Sequence, residues 1–311
     1  MDFTGGITFT GGMSVTAQPP PPTYKAIFGY GATNVGLSMT NLVSNTGVVA
    51  TDTTGVGTAR YSLAAAGYGT DKAIFGYGFN DSIGRTAITN KVSNTGVVAT
   101  DTAGVGTGRN ALAAAGYGTD KAIFGFGQTV VNYVAITNLV TNTGTVGNDV
   151  TGVGTIRKDL GAASYGTGTA MFAYGNGGSA VTTVNLVSNT GVVATDTAGA
   201  GTARRELAAS GYGTDKAIFG YGRDGGNTAL SLTNKVSNTG VVATDTTGVG
   251  TARGSLAAAV YGVDTAIFGY GVTSVNVSVT NLVSNTGVVA TDTTGVGTAR
   301  SGLAAASYGL S

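Results

Sequence analysis

The sequence predicts an all-β protein, a six-bladed β-propeller whose blades are four-stranded sheets. A unit of about 48 residues occurs six times. Within each unit, apolar and small residues alternate with the period of a strand, and no window carries the apolar stripe of a helix. Many of the 54 glycines among 311 residues fall at predicted turns and strand ends. Repeated short strands at regular spacing are typical of propellers. Each unit contains one arginine at a fixed place: Arg60, Arg109, Arg157, Arg204, Arg253 and Arg300.

The four strands of a unit follow from its turn residues. The first strand is predicted at 62–69 (SLAAAGYG) and the second at 72–78 (KAIFGYG). Thr70 and Asp71 between them form a two-residue loop, which is typical of a β-hairpin. The third strand is predicted within 37–47 and the fourth at 48–53, separated by the turn sequence Asn45-Thr46-Gly47. A glycine-rich connection then leads to the next first strand.

The two ends of the repeated region complement each other. The first unit begins at its second strand, residues 25–31, and the last ends with a first strand, residues 301–309. We expect these two strands to pair and to close the ring, because closure removes exposed sheet edges. A solenoid is the alternative, but it needs distinct capping units, and the terminal units here are as regular as the others.

Two segments are predicted, an N-terminal arm at residues 1–23 and the propeller at 24–311. All four prolines, Pro19 to Pro22, lie at the end of the arm, where they favour a stiff, extended spacer. We expect the glycine-rich arm to dock onto a partner protein. Its apolar candidates for that contact are Phe3, Ile7, Phe9, Met13 and Val15.

Composition excludes several function classes. The chain has no Cys, His or Trp and a single glutamate, Glu206, so it lacks the residues of common zinc sites and of Cys or Ser–His nucleophiles. The net charge of +1, without a basic block, argues against binding to nucleic acid. We expect no membrane insertion, no signal peptide, no cofactor and no metal. A ring of six aspartates suits Ca²⁺ in principle, but the acidic density is low.

The unit resembles a kelch repeat. The string AIFGYG at 73–78 stands where that family has a hydrophobic run followed by two glycines, and Arg60 stands at the place of its arginine. The resemblance extends over residues 24–309 and implies propeller blades. The copper centre of kelch-type oxidases uses His and a Cys-linked Tyr, which this chain does not contain.

The arm carries a second resemblance. The string FTGGITFTGG at 3–12 is similar to glycine-rich arms of structural proteins from tailed phages, especially phages of marine bacteria. This resemblance implies a virion protein on the surface of the extracellular particle. It would belong to a multi-subunit assembly and contact other virion proteins through residues 1–23.

Differences among the six copies predict a binding surface. Length varies only between the second and third strands, and sequence also varies in the two residues after each arginine. In an antiparallel blade these two regions emerge at the same end, and loops on a rigid scaffold commonly bind ligands. We predict that this end binds a host-surface polysaccharide or a receptor protein. The candidate residues are Tyr61, Phe79, Asn80, Asp81, Arg85, Asn110, Gln128, Asn132, Tyr133, Lys158, Asn176, Arg205, Glu206, Arg223, Asp224 and Asn227.

Other interpretations remain open. Variable turns can simply tolerate substitution, which leaves a purely architectural capsid or tail decoration protein. A glycan-degrading enzyme needs paired carboxylates, and only Glu206 with Asp159 or Asp224 offers a pair. Each unit also has an aspartate eight residues before its arginine, as in Asp52 and Arg60. We interpret these pairs as structural links between blades, and the repeated Tyr68 and Phe28 positions as core.

Overall fold

A computed structural model describes residues 25–309, which form strands and no helix. The proposed docking arm, including Phe3, Ile7, Phe9, Met13 and Val15, lies outside these residues. The strands are β1 Lys25–Gly29, β2 Thr40–Val43, β3 Ala64–Tyr68, β4 Lys72–Gly76, β5 Phe79–Asn80, β6 Gly84–Arg85, β7 Thr89–Val92, β8 Ala113–Tyr117, β9 Lys121–Gly125, β10 Thr137–Val140, β11 Gly161–Tyr165, β12 Thr169–Ala173, β13 Val184–Val187, β14 Ala208–Tyr212, β15 Lys216–Gly220, β16 Thr233–Val236, β17 Ala257–Tyr261, β18 Thr265–Gly269, β19 Thr280–Val283 and β20 Ala304–Tyr308.

The strands form six antiparallel sheets of three strands and one two-stranded hairpin, β5–β6. The six sheets have the orders β20-β1-β2, β3-β4-β7, β8-β9-β10, β11-β12-β13, β14-β15-β16 and β17-β18-β19. We call them sheets 1 to 6 in this order. In every sheet the second strand of the repeat is central, and its residues after the first position are all buried.

Sheet 1 joins the two ends of the described chain. β20 pairs with β1 in antiparallel register, with Lys25 opposite Tyr308 and Gly29 opposite Ala304. The predicted pairing of the last first strand with the first second strand is therefore confirmed.

The fourth strand was predicted wrongly. The segment after Gly47 makes only two isolated bridges to β2, Val43 to Val49 and Thr40 to Thr53. Between the bridges, three residues of this segment face two residues of β2, which is the geometry of a β-bulge. The same offset recurs in all six sheets, so each has three strands and an interrupted edge. A bulge twists the outer edge and discourages pairing with other chains.

Core residues lie between neighbouring sheets. One cluster joins Ile27, Tyr30 and Tyr308 of sheet 1 with Leu63 and Phe75 of sheet 2, and five similar clusters follow around the molecule. The ring of Phe75 occupies the space that a Cβ on Gly29 would need, at 2.6 Å from that position. The predicted core role of the repeated Tyr and Phe residues is confirmed.

Neighbouring sheets touch through the first strands of the repeat. β3, β8, β11, β14, β17 and β20 each contact the next strand in this order, and β20 also contacts β3. Residues 25–309 contain no helix long and apolar enough to cross a membrane.

Candidate functional site

The two variable regions of each repeat meet at one end of its sheet. The residue after each arginine forms an isolated bridge to the residue after the second-strand YG or FG sequence. The bridged pairs are Tyr61–Phe79, Asn110–Gln128, Lys158–Asn176, Arg205–Arg223, Gly254–Val272 and Ser301–Ala32. We call this the variable end. The opposite end, where first and second strands are joined by tight turns, is the hairpin end.

A cycle of backbone hydrogen bonds links the six sheets at the variable end. The N–H of Ser62 donates to the carbonyl of Gly302 at 2.7 Å, and the N–H of Ala111 donates to the carbonyl of Ser62 at 2.7 Å. Asp159, Glu206, Ser255 and Gly302 continue the series, which returns to Ser62. All six residues have positive φ between 51° and 62°. That conformation is uncommon for residues other than glycine, and here it aims each backbone at the neighbouring sheet.

Each repeated arginine is buried below this cycle. Arg60 donates from Nε to the carbonyl of Tyr77 at 2.8 Å and from Nη2 to Oδ1 of Asn90 at 2.6 Å. Its guanidinium lies 4.3 Å from the ring centre of Tyr30, in the preceding sheet. Burial lowers the pKa of Arg60, but the side chain is well satisfied because polar and π partners surround it.

The repeated aspartates also join neighbouring sheets, but not in the predicted pairing. Asp101 accepts hydrogen bonds from the N–H and hydroxyl of Thr58 in the preceding repeat, at 3.0 and 2.6 Å. Asp52 likewise binds Thr298 and lies 3.9 Å from Arg300, rather than pairing with Arg60. The predicted role of these aspartates as links between sheets is confirmed. The predicted pairing of each aspartate with the arginine eight residues later is wrong, because the segment that carries this arginine continues into the next sheet.

Two aromatic rings and an arginine lie together at the variable end of sheet 2. The rings of Tyr61 and Phe79 lie 5.4 Å apart, and the guanidinium of Arg85 lies 5.7 Å from the Phe79 ring centre. Burial and the nearby Asp81 carboxylate raise the pKa of Tyr61. Asn80 accepts the N–H groups of the following turn through Oδ1, so its role in the structure is to hold that turn.

Side chains of the variable end connect adjacent loops. Asp81 of sheet 2 accepts the N–H of Gly36 in sheet 1 at 2.8 Å. Arg85 donates to Oδ1 of Asn110 at 2.9 Å. Lys158, which bridges to Asn176 in sheet 4, donates to Oε1 of Gln128 in sheet 3 at 3.0 Å. Several predicted binding residues therefore form hydrogen bonds with residues of the neighbouring sheet.

The predicted residues of sheets 3 to 5 have mixed roles. Lys158 Nζ lies 5.2 Å from the ring centre of Tyr133, whereas Asn132 lies in an exposed turn and accepts from Thr129 through its carbonyl. Oδ1 of Asn176 accepts the N–H of Gly178, and Oδ1 of Asp224 accepts the N–H of Thr228. These two side chains stabilise their own turns.

The four remaining predicted residues, Arg205, Glu206, Arg223 and Asn227, form a cluster on sheet 5. Arg205 donates to Oδ1 of Asn227 at 3.2 Å. Arg223 donates to the carbonyl of Asn227 at 3.1 Å and to that of Thr273 in sheet 6 at 2.8 Å. Arg223 Nε also lies 3.3 Å from Oε2 of Glu206.

Glu206 and Asp159 are neighbours in the backbone cycle. The N–H of Glu206 donates to the carbonyl of Asp159 at 2.8 Å. Oε2 of Glu206 accepts the hydroxyl of Ser255 at 3.0 Å, and Lys158 lies 3.9 Å from the Asp159 carboxylate. Burial, reinforced by the charge of Glu206, raises the pKa of Asp159 to about 6 against the opposing effect of Lys158. The structure thus brings together Glu206 and Asp159, one of the two carboxylate pairs considered from the sequence.

Sequence reasoning missed an apolar feature of the variable end. The loops after the second strands of sheets 6, 1, 2 and 3, which are neighbours, expose aliphatic side chains near their tips. These are Val275, Val35, Ile83, Val130 and Val131, exposed by 58 to 82 %. We call these five residues the aliphatic arc. The corresponding loops of sheets 4 and 5 have glycines there, Gly177-Gly178 and Gly225-Gly226. The signal in the sequence is the set of aliphatic residues inside the variable loops, whereas the predicted binding residues are polar or aromatic.

The described residues contain no group of three or more Asp, Glu, His or Cys placed to hold a metal ion. The chain matches no protein-family model and no curated protein.

Proposed function

We propose that the six sheets are the blades of a closed six-bladed β-propeller that serves as a non-enzymatic attachment protein. Two observations support a closed fold. The first strands of the six sheets contact one another in order, and the last of them, β20, contacts the first, β3. The cycle of backbone hydrogen bonds also passes through all six repeats. Repeated blades around an axis, with short protected edges, are the defining properties of a propeller.

The proposed function depends on the polarity of the molecule. Lys25 lies opposite Tyr308 at the hairpin end, so the preceding residues join the sheets at that end. The variable side chains lie at the other end. A chain anchored through residues 1–23 would therefore present its variable end away from the anchor. The position of Lys25 at the end opposite the variable side chains is the observation that carries the proposal.

The aliphatic arc and its polar neighbours suggest what the variable end does. The arc crosses four adjacent loops, which are tied together by Asp81, Arg85 and Asn276 through hydrogen bonds to neighbouring loops. These aliphatic tips are exposed in the part of the chain that the structure describes, and such exposed groups commonly mark interaction sites. We propose that the variable end binds a host-surface receptor protein or polysaccharide.

The particle context of this proposal comes from the resemblance of residues 3–12 to phage arms. On that basis, residues 1–23 anchor the propeller to other virion proteins, and the variable end faces outward from the extracellular particle. Binding of chain 25–311 to purified particles that lack the full-length protein, at the level of the intact chain, would contradict anchoring by the arm.

Binding at the variable end is tested by replacing the arc. The variant Ile83→Ser/Val130→Ser/Val131→Ser removes apolar tips that are at least 61 % exposed, so the fold should be retained. The matched control is Val48→Ser/Val97→Ser/Val192→Ser, which changes equally exposed valines next to the third-strand turns. We expect adsorption to host cells to fall about tenfold or more in the arc variant and to stay unchanged in the control.

A second variant examines the aromatic contacts at the same end. Phe79→Ala/Tyr133→Ala removes two rings that contact Arg85 and Lys158. If neither this variant nor the arc variant alters adsorption while particles still assemble, the purely architectural alternative replaces the attachment role. If particles fail to assemble with either variant, the variable end contacts neighbouring subunits instead.

Glycan cleavage is the second candidate, because one observation favours it. A carboxyl with a raised pKa beside a carboxylate held by an arginine is the arrangement of an acid–base pair, and Asp159 and Glu206 have it. Release of reducing ends from host polysaccharide by the intact protein, abolished in Asp159→Asn and Glu206→Gln, would establish this activity. Binding without release favours the attachment role.

A further inference from the structure

A cavity of about 350 Å³ opens at the hairpin end, on the side opposite the variable residues. Its walls come from all six sheets. One residue of each first strand, immediately before the repeated tyrosine, contributes to the wall: Gly67, Gly116, Ser164, Gly211, Val260 and Ser307. This volume is within the range of small-molecule sites, at its lower end.

The cavity exists because these wall residues are small. Three of the six are glycine and two are serine. The serine hydroxyls are fixed, since Ser164 donates to the carbonyl of Gly116 and Ser307 to that of Val260, both at 2.8 Å. A hydroxyl that donates in this way keeps its lone pairs as acceptors for a ligand.

Three lysines stand at the mouth of the cavity. Lys72, Lys121 and Lys216 line it, each from a different sheet, with side chains 44 to 45 % exposed. Each ammonium contacts the aspartate that precedes it in sequence, at 2.6 to 3.0 Å. An ammonium has three donors, so each lysine retains two N–H groups for another acceptor.

The charge that faces the cavity is positive. The aspartates that contact the lysines, Asp71, Asp120 and Asp215, do not line it, and within residues 25–309 Asp264 is the single carboxylate of the lining. The lining therefore has three cations and one anion. Within the lining, a ligand contacts these ammonium groups, and Lys binds an anionic group as a compact point charge.

We propose that this cavity binds a small hydroxylated carboxylate, of the size and chemistry of a sugar acid. The carboxylate would accept from Lys72, Lys121 and Lys216. The ligand hydroxyls would bond with Ser164, Ser307 and Asp264. Binding at this site is independent of what the variable end recognises.

The repeats themselves supply variants that the fold tolerates. Thr169 and Thr265 occupy the positions equivalent to the three lysines, so Lys72→Thr/Lys121→Thr/Lys216→Thr keeps a residue found there in other sheets. Val260 is equivalent to Gly116, so Gly116→Val fills the cavity with a side chain that already occurs at this level. The control Lys91→Leu/Lys235→Leu removes two lysines that donate to turn carbonyls outside the cavity, and leucine stands at the same position in the other repeats.

The test is titration of the full chain with D-glucuronate, and with D-glucose as a neutral ligand of similar size, followed by ligand-observed NMR and calorimetry. We expect saturable binding of glucuronate by the wild type and by the control. We expect binding about tenfold weaker or undetectable in the lysine variant and in Gly116→Val, because charge-assisted bonds or space are lost.

Three results would overturn the proposal. Absence of saturable glucuronate binding by the wild type removes the site. Equal binding of glucose and glucuronate removes the assignment to an anion. Unchanged glucuronate binding by Gly116→Val, with circular dichroism and unfolding like those of the wild type, places the ligand elsewhere.

Discussion

Asp52 accepts two hydrogen bonds from Thr298, a residue 246 positions later, at 2.9 Å from its N–H and 2.6 Å from its hydroxyl. The same two bonds join Asp101 to Thr58, only 43 positions away. The contact that joins the ends of the described chain is thus as well formed as one between consecutive repeats.

This equivalence predicts equal costs of mutation. Asp52→Ala and Asp101→Ala should each lower the free energy of unfolding by about 1–3 kcal/mol, because each leaves the threonine N–H and an asparagine amide without their acceptor. Urea denaturation of both variants at pH 7 measures the two losses. In an open array, sheet 1 would separate easily from sheet 6, and Asp52→Ala would cost much less than Asp101→Ala. That outcome would contradict the proposed closure of the propeller.

The repeat pattern was sufficient to predict the class of fold and the pairing of β1 with β20. Two details escaped it. The bulge between Val49 and Thr53 replaces the fourth strand. It contains Asp52, whose bonds go to Thr298 in another repeat. Pairing of Asp52 with Arg60 also failed, because spacing along one repeat does not tell which neighbouring sheet each side chain faces.

The candidate site was predicted in position more than in chemistry. Internal variation located the loops that meet at the variable end. It did not show that Asn80, Asn176 and Asp224 hold their own turns, or that Arg85 and Lys158 join neighbouring loops. The bonds of Arg85 and Lys158 join segments 25 and 30 positions apart, which a loop sequence alone does not reveal. The bonds of Asn80, Asn176 and Asp224 are local, within four positions.

Two buried arginines differ in their hydrogen bonds and should differ in their tolerance of lysine. Nε of Arg60 donates to the carbonyl of Tyr77, whereas Nε of Arg204 has no partner among residues 25–309. Lysine cannot reproduce several guanidinium bonds at once. We expect Arg60→Lys to destabilise the protein by about 1 kcal/mol more than Arg204→Lys, the value of one ordinary hydrogen bond. Equal midpoints and slopes in urea would show that the extra bond contributes nothing.

The raised pKa of Asp159 predicts a dependence of stability on pH. The pKa is about 6 in the folded protein and about 3.9 in an unfolded chain. The folded state therefore binds more protons between these values, and stability falls as pH rises from about 4 to about 6. The contribution is at most about 3 kcal/mol, reduced by the partial exposure of the side chain.

Asp159→Asn isolates this effect from that of the other carboxyl groups. Lys158, Arg205 and Glu206 face Asp159 and remain in the variant. The six repeated aspartates, whose pKa values are lowered, destabilise both proteins alike in acid. We expect the variant to gain stability relative to the wild type between pH 4 and pH 6.5. A difference independent of pH would contradict the burial of an ionisable group at this position.

In sheet 4, the glycine and the alanine of one cross-strand pair have exchanged places relative to the other five sheets. In the other five, an alanine of the first strand is opposite a glycine of the second, as in Ala64 and Gly76, whereas Gly161 is opposite Ala173. The phenylalanine of the following sheet lies against whichever residue is glycine. Phe124 is 2.7 Å from a Cβ placed on Gly76, and Phe219 is 3.0 Å from one placed on Gly161.

This exchange predicts a strong coupling between the two positions. Gly161→Ala alone should lower the free energy of unfolding by about 1–3 kcal/mol, because the new methyl group meets the Phe219 ring in a packed core. Adding Ala173→Gly recreates the arrangement of the other sheets and gives the ring a new place, so the double variant should cost less than Gly161→Ala alone. A double-mutant cycle in urea measures this coupling, with Gly76→Ala as the corresponding single change in sheet 2. If the two changes in sheet 4 are additive, the ring does not move, and the exchange is incidental to the packing of sheets 4 and 5.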